Sequence, residues 1–523
     1  MKKASRTTNT IYNFISSMGG QLINLFMQFV VRTFFIRYLG KSYLGIGSFF
    51  SNILQMLSLV ELGIGSAILY KLYDPLAHED HHRITLLMKF YRWAYRGIGV
   101  AVTLIGLLLI PFLPSLIKDY QKITALGLSV PFVFLLYLFK TASSYLFVAY
   151  KSAIIKADQK EYLVTVLNYV TTVISGIVQI VSMILFGSYT LYLIIGILQV
   201  VIQNILAGVL ASRMYPYIDE KTPDSISREE VREIFNDCSA LFLYKMNAVV
   251  MKATDNIVLS IMMGMDAEAL YSNYYIFYTT INTLFNKLYN SVSHSIGNLH
   301  ITHDTDHEYE VFEAVMAVST ILGATAFVGI GVCANEFISA WIGKDWTLAQ
   351  PFSFLLGMEL YTLSIRAALS KYRTTMGLFR QSRLRPVMGM LVNLAVSVLG
   401  VKLWGIPGVL IGTIAADWTT FMWLDPYIVH KYGFENKRPV KVYYVKFIRN
   451  FLAALALFAL CYFLCTNLFV NHGFLSVAVH AVICAMLSVS LYYLIYIRGK
   501  EGVYLQKLGV KYLKRIFRHK KHA

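Results

Sequence analysis

Lys245, Lys252 and Asp255 stand inside the hydrophobic run CSALFLYKMNAVVMKATDNIVLSIMMG, residues 238–264. The run is long enough to cross a bilayer. A charge at membrane depth is costly, so it pairs with a partner or lines a wet cavity. Lys245 and Lys252 are seven residues apart and share a helix face. Asp255 sits one turn from Lys252, close enough to neutralise it. Taken alone, Lys252 and Asp255 also fit a buried structural pair.

Two polar stripes accompany these charges. Asn13, Ser17, Gln21, Asn24, Gln28 and Arg32 recur at steps of three and four, which holds one helix face. Facing lipid, this stripe would be expensive. It either bonds to neighbouring helices or lines a cavity, and six polar residues exceed what packing requires. The second stripe is Tyr271, Tyr275, Tyr278, Asn282, Asn286 and Tyr289, with Asn290 beside it. Aromatic faces with amide neighbours suit sugar rings; a tyrosine-rich packing face is the alternative.

Glu61, Lys140, Glu359, Arg366 and Asp417 also fall within hydrophobic runs. Arg366 and Lys140 are expected to face inward, and Asp417, near mid-depth, is a candidate proton or cation site. The loops HEDHHR (78–83) and HDTDHE (303–308) are rich in histidine and acid but lack any metal-ligand spacing. They read as connectors whose acids open the next helix. Five cysteines lie in or at the ends of hydrophobic runs. They form no metal motif, and Cys461 and Cys465 read as lipid-facing filler without a structural disulfide. No P-loop, GxSxG or HExxH is present, so the sequence implies no cofactor, no metal and no enzyme of those classes.

The elements that must carry these residues follow from composition. The chain is 57% hydrophobic and only 15% charged over 523 residues. That marks an all-α polytopic membrane protein rather than a barrel of short alternating strands. Fourteen spans are expected: 11–37, 43–72, 87–113, 123–150, 162–187, 188–214, 238–264, 268–297, 312–343, 347–376, 386–404, 407–430, 446–468 and 474–497. The first run is too long for a signal-peptide core and reads as a span.

The net charge of +18 is concentrated on one side. The outer turns hold only Lys41, Lys118, Lys122, Lys344 and Lys402, which places both termini in the cytoplasm. The basic tail then lies on anionic headgroups rather than on nucleic acid. His78, Glu79 and His82 match His303, Asp304 and His307 at one offset of 225 residues, so the first twelve spans read as a parallel repeat. This gives a six-helix bundle over 1–214, a linker at 215–237, a second bundle over 238–430, an added helix pair over 431–497 and a basic tail at 498–523.

Residues 37–77, 254–274, 371–386 (KYRTTMGLFRQSRLRP) and 405–413 (GIPGVLIGT) together resemble the bacterial polysaccharide transporters that flip lipid-linked oligosaccharides. That family lies in the multidrug/oligosaccharidyl-lipid/polysaccharide exporter superfamily. The resemblance implies two six-helix bundles around a central cavity plus two C-terminal helices. It implies an undecaprenyl-diphosphate-linked oligosaccharide as substrate, the bilayer of the bacterial inner membrane as setting, and the polysaccharide polymerase and assembly proteins as further partners. Relatives of this kind use cavity cations for the diphosphate, and Arg32, Lys245 and Lys252 have the chemistry for it. Asp255 would then position Lys252, while Asn24, Gln28, Tyr275, Tyr278, Asn282 and Arg366 would meet the rest of the head group. A drug or organic-cation antiporter of the same superfamily is one rival. A membrane polysaccharide polymerase is another, although it would want a sizeable outer loop.

Overall fold

In the computed structural model the described residues are 6–61, 64–118, 120–125, 127, 129–220, 222–301, 305–378, 380–382, 384–435, 438–468 and 473–507. Among them there is no strand. Among the described residues nine helices are long and apolar enough to cross a membrane, ten if one bent pair counts as a single span. The chain is therefore an all-helical, multi-pass membrane protein.

Contacts divide it into two units, residues 1–269 and 270–523. The first unit holds α1 (Arg6–Tyr38), α2 (Lys41–Leu57), α3 (Ile64–Ala77), α4 (His81–Leu109), α5 (Val130–Leu146), α6 (Glu161–Phe186), α7 (Tyr189–Met214) and α8 (Arg228–Met262). α9 (Met265–Ile301) starts at the division. The second unit continues with α10 (Thr305–Ile342), α11 (Gln350–Thr375), α12 (Arg385–Trp404), α13 (Pro407–Ala416), α14 (Val440–Leu468) and α15 (Phe474–Tyr496). Lys41, His81 and Glu161 open helices, and Met265, Thr305 and Arg385 open others 224 residues later in each case. α8 nevertheless packs on α2 and α3, so the first unit extends beyond residue 238, where the repeat would begin its second half.

The expected spans 238–264 and 268–297 lie in unbroken helices that are not among the nine, and three others miss the long, apolar standard because their helices break. The stretch 43–72 is interrupted by a short 3-10 turn, Ser58–Glu61, between α2 and α3. The fourth span bends by 45° after α5, where Val148 adopts a left-handed φ of 42°. The twelfth continues past α13 as a π-helical turn, Asp417–Phe421, a short α-helix and a second π-turn, Val429–Gly433.

Local sequence explains several ends and approaches. Gly187, at φ 56°, closes α6 in the left-handed conformation that glycine tolerates. The next residue, Ser188, caps α7 by accepting from the Leu191 N–H. Gly45 lets α2 approach the backbone of Met265, where any β-carbon would stand 2.0 Å from the carbonyl oxygen.

The cysteines correct one expectation. Cys461 and Cys465 are buried, not lipid-facing. Both thiols contact Cys484 of α15, which also meets Cys333 of α10. The small, apolar thiols fill the seam where the added helix pair packs on the second unit. The four described cysteines are free.

The linker is strapped to the first unit. Tyr215 donates to Asp158 at 2.6 Å, and Thr85 donates to the Tyr217 carbonyl at 3.0 Å. Lys89 donates to the carbonyls of Thr222 and Asp224 at 2.9 and 3.0 Å, and His82 lies 3.3 Å from the Asp224 carboxylate. Lys151 reaches Asp219 at 2.5 Å. Burial pushes the Asp219 carboxyl up, but hydrogen bonds from Lys151 and Ser212 and the charges of Lys151 and Arg92 outweigh it and hold it below the usual range. A carboxylate with a lowered pKa stabilises its contact above the unfolded value and loses that contribution as pH falls through the folded one. The strap at 215–220 is thus expected to loosen only below about pH 4. Hydrogen exchange of these amides should rise there in the wild type and already at neutral pH in Lys151→Ala; exchange independent of both would refute the strap.

Candidate functional site

In the first unit, α1 presents the polar stripe and the structure divides its labour. Asn13 donates to the Gln159 carbonyl at 2.8 Å and accepts from the Tyr162 N–H at 2.7 Å, so it caps the start of α6 from outside. The lower end of the stripe is therefore packing glue. Asn24 is half-buried and Gln28 exposed, higher on the same helix. Arg32 lies within electrostatic reach of Tyr192 on α7 and of Glu268 at the start of α9.

Glu268 was not singled out from sequence, yet it is fully buried. Its nearest charges are Arg32 and Asp255, and Asn52 of α2 points its amide at the carboxylate from 3.5 Å. Ser42 holds the neighbouring Asp266 at 3.2 Å, and the Gly45 approach brings this stretch against α2. Asp255 is likewise buried, and its like charge acts on Glu268. The side chains of Lys245 and Lys252 lie outside the described residues, as do His303 and Asp304. A guanidinium facing a buried carboxylate can bind an anion, or release the carboxylate to a cation, according to which partner it takes.

A second intramembrane cation stands close by. The Lys140 ammonium on α5 lies 3.3 Å from where a β-carbon on Gly196 would be, with the Gln179 amide 3.5 Å from the same point. Gln179 in turn donates to the Tyr192 carbonyl at 3.2 Å. Tyr192 and Gly196 are one turn apart, so Arg32 and Lys140 address successive turns of α7. Among the described residues no carboxylate forms an ion pair with Lys140.

The second unit has its own cluster. Arg366 of α11 pairs with Asp417 at 2.5 Å, and Tyr278 bonds to the same guanidinium, with Glu359 near. Phe421 lies across Arg366 at 5.4 Å. Asp417 opens the π-turn, a wider turn that often marks functional positions. The tyrosine stripe is a ladder of parallel rings, with Tyr271 and Tyr275 at 5.6 Å and Tyr275 and Tyr278 at 5.0 Å. Their faces thus cover one another over much of the stripe. Tyr271 packs edge-on against Phe352, and Tyr289 is buried against Ser364. Asn286 donates to the Asn282 side chain at 2.7 Å, and Asn290 accepts from Lys371.

Sequence reading also passed over Asp425. It is fully buried between Arg385 and Arg373, which tie two residues of the KYRTTMGLFRQSRLRP stretch to one carboxylate. Among the described residues no three His, Cys, Asp or Glu side chains converge as metal ligands. Asp306 of the second histidine loop instead pairs with Arg438 at 2.6 Å.

Breaking one partner of a buried ion pair costs about 3–5 kcal/mol, whereas replacing both with apolar groups is often neutral. Asp417→Ala should therefore sharply lower the abundance or thermal stability of the purified protein. The Arg366→Met/Asp417→Leu double variant should recover most of it. Equal losses in both would show that the pair does not act as a unit.

Comparisons with known proteins agree with this architecture. No curated protein matches. Among solved structures, the chain resembles the lipid II flippase MurJ in its inward closed conformation, with a TM-score of 0.66 and 16% identity over 94% of this chain and 100% of that one. It also resembles an inward-facing multidrug resistance MATE family transporter of the MOP superfamily, at TM-score 0.55 and 14% identity over 80% and 96% of the two chains. A Vibrio cholerae MATE transporter gives 0.52 and 13% over 83% and 99%. At these identities the likeness establishes a shared fold. Residues 37–351 match the sequence profile of the family described as polysaccharide biosynthesis protein. The chain, a helical membrane protein with a transporter fold, belongs to the polysaccharide biosynthesis protein family.

Proposed function

We propose that this protein is a flippase. It moves an undecaprenyl-diphosphate-linked oligosaccharide repeat unit from the cytoplasmic to the outer leaflet of the bacterial inner membrane, for capsule, exopolysaccharide or O-antigen synthesis. The observation that carries the reading is the pair of cations, Arg32 of α1 and Lys140 of α5, set against Tyr192 and Gly196 on successive turns of α7 in a chain of this family. A diphosphate crossing hydrocarbon unaided would lose its hydration at prohibitive cost. Guanidinium and ammonium donors replace that water with charge-assisted hydrogen bonds.

In this reading Arg32, Lys140, Lys245 and Lys252 hold the diphosphate, with Asp255 and Glu268 setting the poise of the cations. Asn24, Gln28, Tyr275, Tyr278, Asn282 and Arg366 contact the head group. The polyprenyl tail stays in lipid, and alternating access carries the head across. Both termini face the cytoplasm. Asp417 is the ion-coupling candidate, since a proton arriving there would release Arg366. An Asp417→Asn protein that transports with an unchanged response to an imposed proton gradient would remove it from that role. A second reading, an organic-cation antiporter, draws on one observation: Glu268 and Asp255 are both buried and close enough to act on each other electrostatically.

The deciding experiment is deletion of the gene followed by lipid analysis. Lipid-linked repeat units should accumulate on the inner leaflet. Outward-facing, unpolymerised units would instead indicate a polymerase, and unchanged lipids with lost cation resistance an antiporter. A charge-assisted bond contributes about 1.5–3 kcal/mol, so Arg32→Ala, Lys140→Ala and Lys252→Ala should each lower transport about tenfold or more at normal protein abundance. Lys140→Arg should retain most of it. Wild-type surface polysaccharide in these alanine variants would overturn the cradle.

A further inference from the structure

A cavity of about 520 Å³ opens where α3 ends, α4 begins and the first turn of α8 passes beneath them. It is separate from the buried charges, lies wholly within the first unit, and falls in the usual size range of small-ligand sites. Two tyrosines form its corner. Tyr70 is 72% exposed and Tyr73 46%. Their rings stand 6.5 Å apart and nearly perpendicular, at 85°.

The rest of the wall is polar. Arg83 is bound to Glu230, which is largely buried, and Asp80 caps α4 by accepting from the Arg83 N–H at 2.9 Å. Lys71 lies 3.2 Å from Glu233 at the rim. His78 lies 3.3 Å from Asp74, and both side chains remain mostly exposed. Around the cavity Lys71 and Arg83 face Asp74, Asp80 and Glu230, so the wall is balanced or slightly acidic. That balance disfavours a diphosphate, an anionic lipid headgroup or a nucleotide, each of which wants a cationic lining. Tyrosines that merely mark the membrane interface need no carboxylate-lined corner beside them.

We infer that this corner is a sugar-binding subsite for neutral hexose or N-acetylhexosamine units. The C–H face of a pyranose would lie on Tyr73 or Tyr70, and its hydroxyls would bond to Asp74, His78 and the Arg83–Glu230 pair. The inference rests on the flippase reading for its ligand: the corner sits on the side of the His78–Asp80 loop, where that reading places the cytoplasm and the incoming glycan. The subsite captures the hydrophilic end of the substrate, apart from the cations that take its diphosphate.

Saturation-transfer NMR on the full-length protein in nanodiscs tests it, with free N-acetylglucosamine and galactose as probes. Binding in the millimolar range is expected, with transfer strongest at the ring C–H protons. Tyr70→Ala/Tyr73→Ala should weaken the signal about tenfold, while Tyr70→Phe/Tyr73→Phe, which keeps the rings, should retain most of it. The phenylalanine variant and thermal unfolding of each protein separate lost binding from lost folding. No transfer in the wild type, or transfer unchanged in the alanine variant, would overturn the subsite. If lipid-linked units accumulate on deletion but sugars do not bind here, the subsite falls and the flippase stands. If sugars bind here but deletion leaves lipids unchanged, the flippase falls and a sugar-binding corner stands.

Discussion

Compensation of buried charge organises this protein. Helices long enough to cross a bilayer cannot carry a charge into it without a partner, because desolvation costs more than any single contact returns. Each unit meets this constraint with a compact cluster. In the first, Arg32 is set against Tyr192 and Glu268, and Glu268 also feels Asp255. In the second, Arg366 meets Asp417 and Tyr278, and Asp425 lies between Arg373 and Arg385. The added helix pair obeys the same rule. His480 and Ser476 hold Glu336 at 2.7 and 2.5 Å, and Lys446 bridges Glu313 and Glu501 at 2.7 and 3.2 Å.

Irregular backbone coincides with two acids, Asp417 and Glu61. The 3-10 turn ends on Glu61, which accepts a hydrogen bond from Tyr95 at 2.5 Å. The π-turn begins on Asp417. Irregular turns leave carbonyls and side chains free to face polar groups, which is tolerated at membrane depth only inside protein or beside water.

Part of the candidate site is legible in the amino-acid sequence. Intramembrane charge identifies Arg32, Lys140, Arg366 and Asp417, because hydropathy makes a lone ionisable residue conspicuous. The same signal fails for Glu268. It sits at the start of a helix beside Asp266, where acids are ordinary helix-opening residues. The polar stripe of α1 looks uniform at helical spacing, yet Asn13 serves as an external cap while Asn24 and Gln28 make no such contact among the described residues. Periodicity locates a face and is silent about what that face meets. The tyrosine stripe shows the same limit: spacing puts the rings on one face, and ring stacking covers much of the surface that sugars would need.

The sequence by itself determined the class of protein, the helices and the family resemblance. These depend on run length, composition and local motifs, which act over a few turns of chain. Cap residues such as Ser188, Asp80 and Ser227 likewise act on their own helix ends. Tertiary structure decided the pairings: Glu268 with Arg32, Lys140 with the Gly196 turn, four cysteines in one seam, and α8 packed with the first unit. Those partners lie on helices remote in sequence, and no local propensity encodes which helix faces meet. Packing selects them, through close approaches such as Gly45 on Met265 and through carboxylates that meet buried cations such as Arg32 and Arg366.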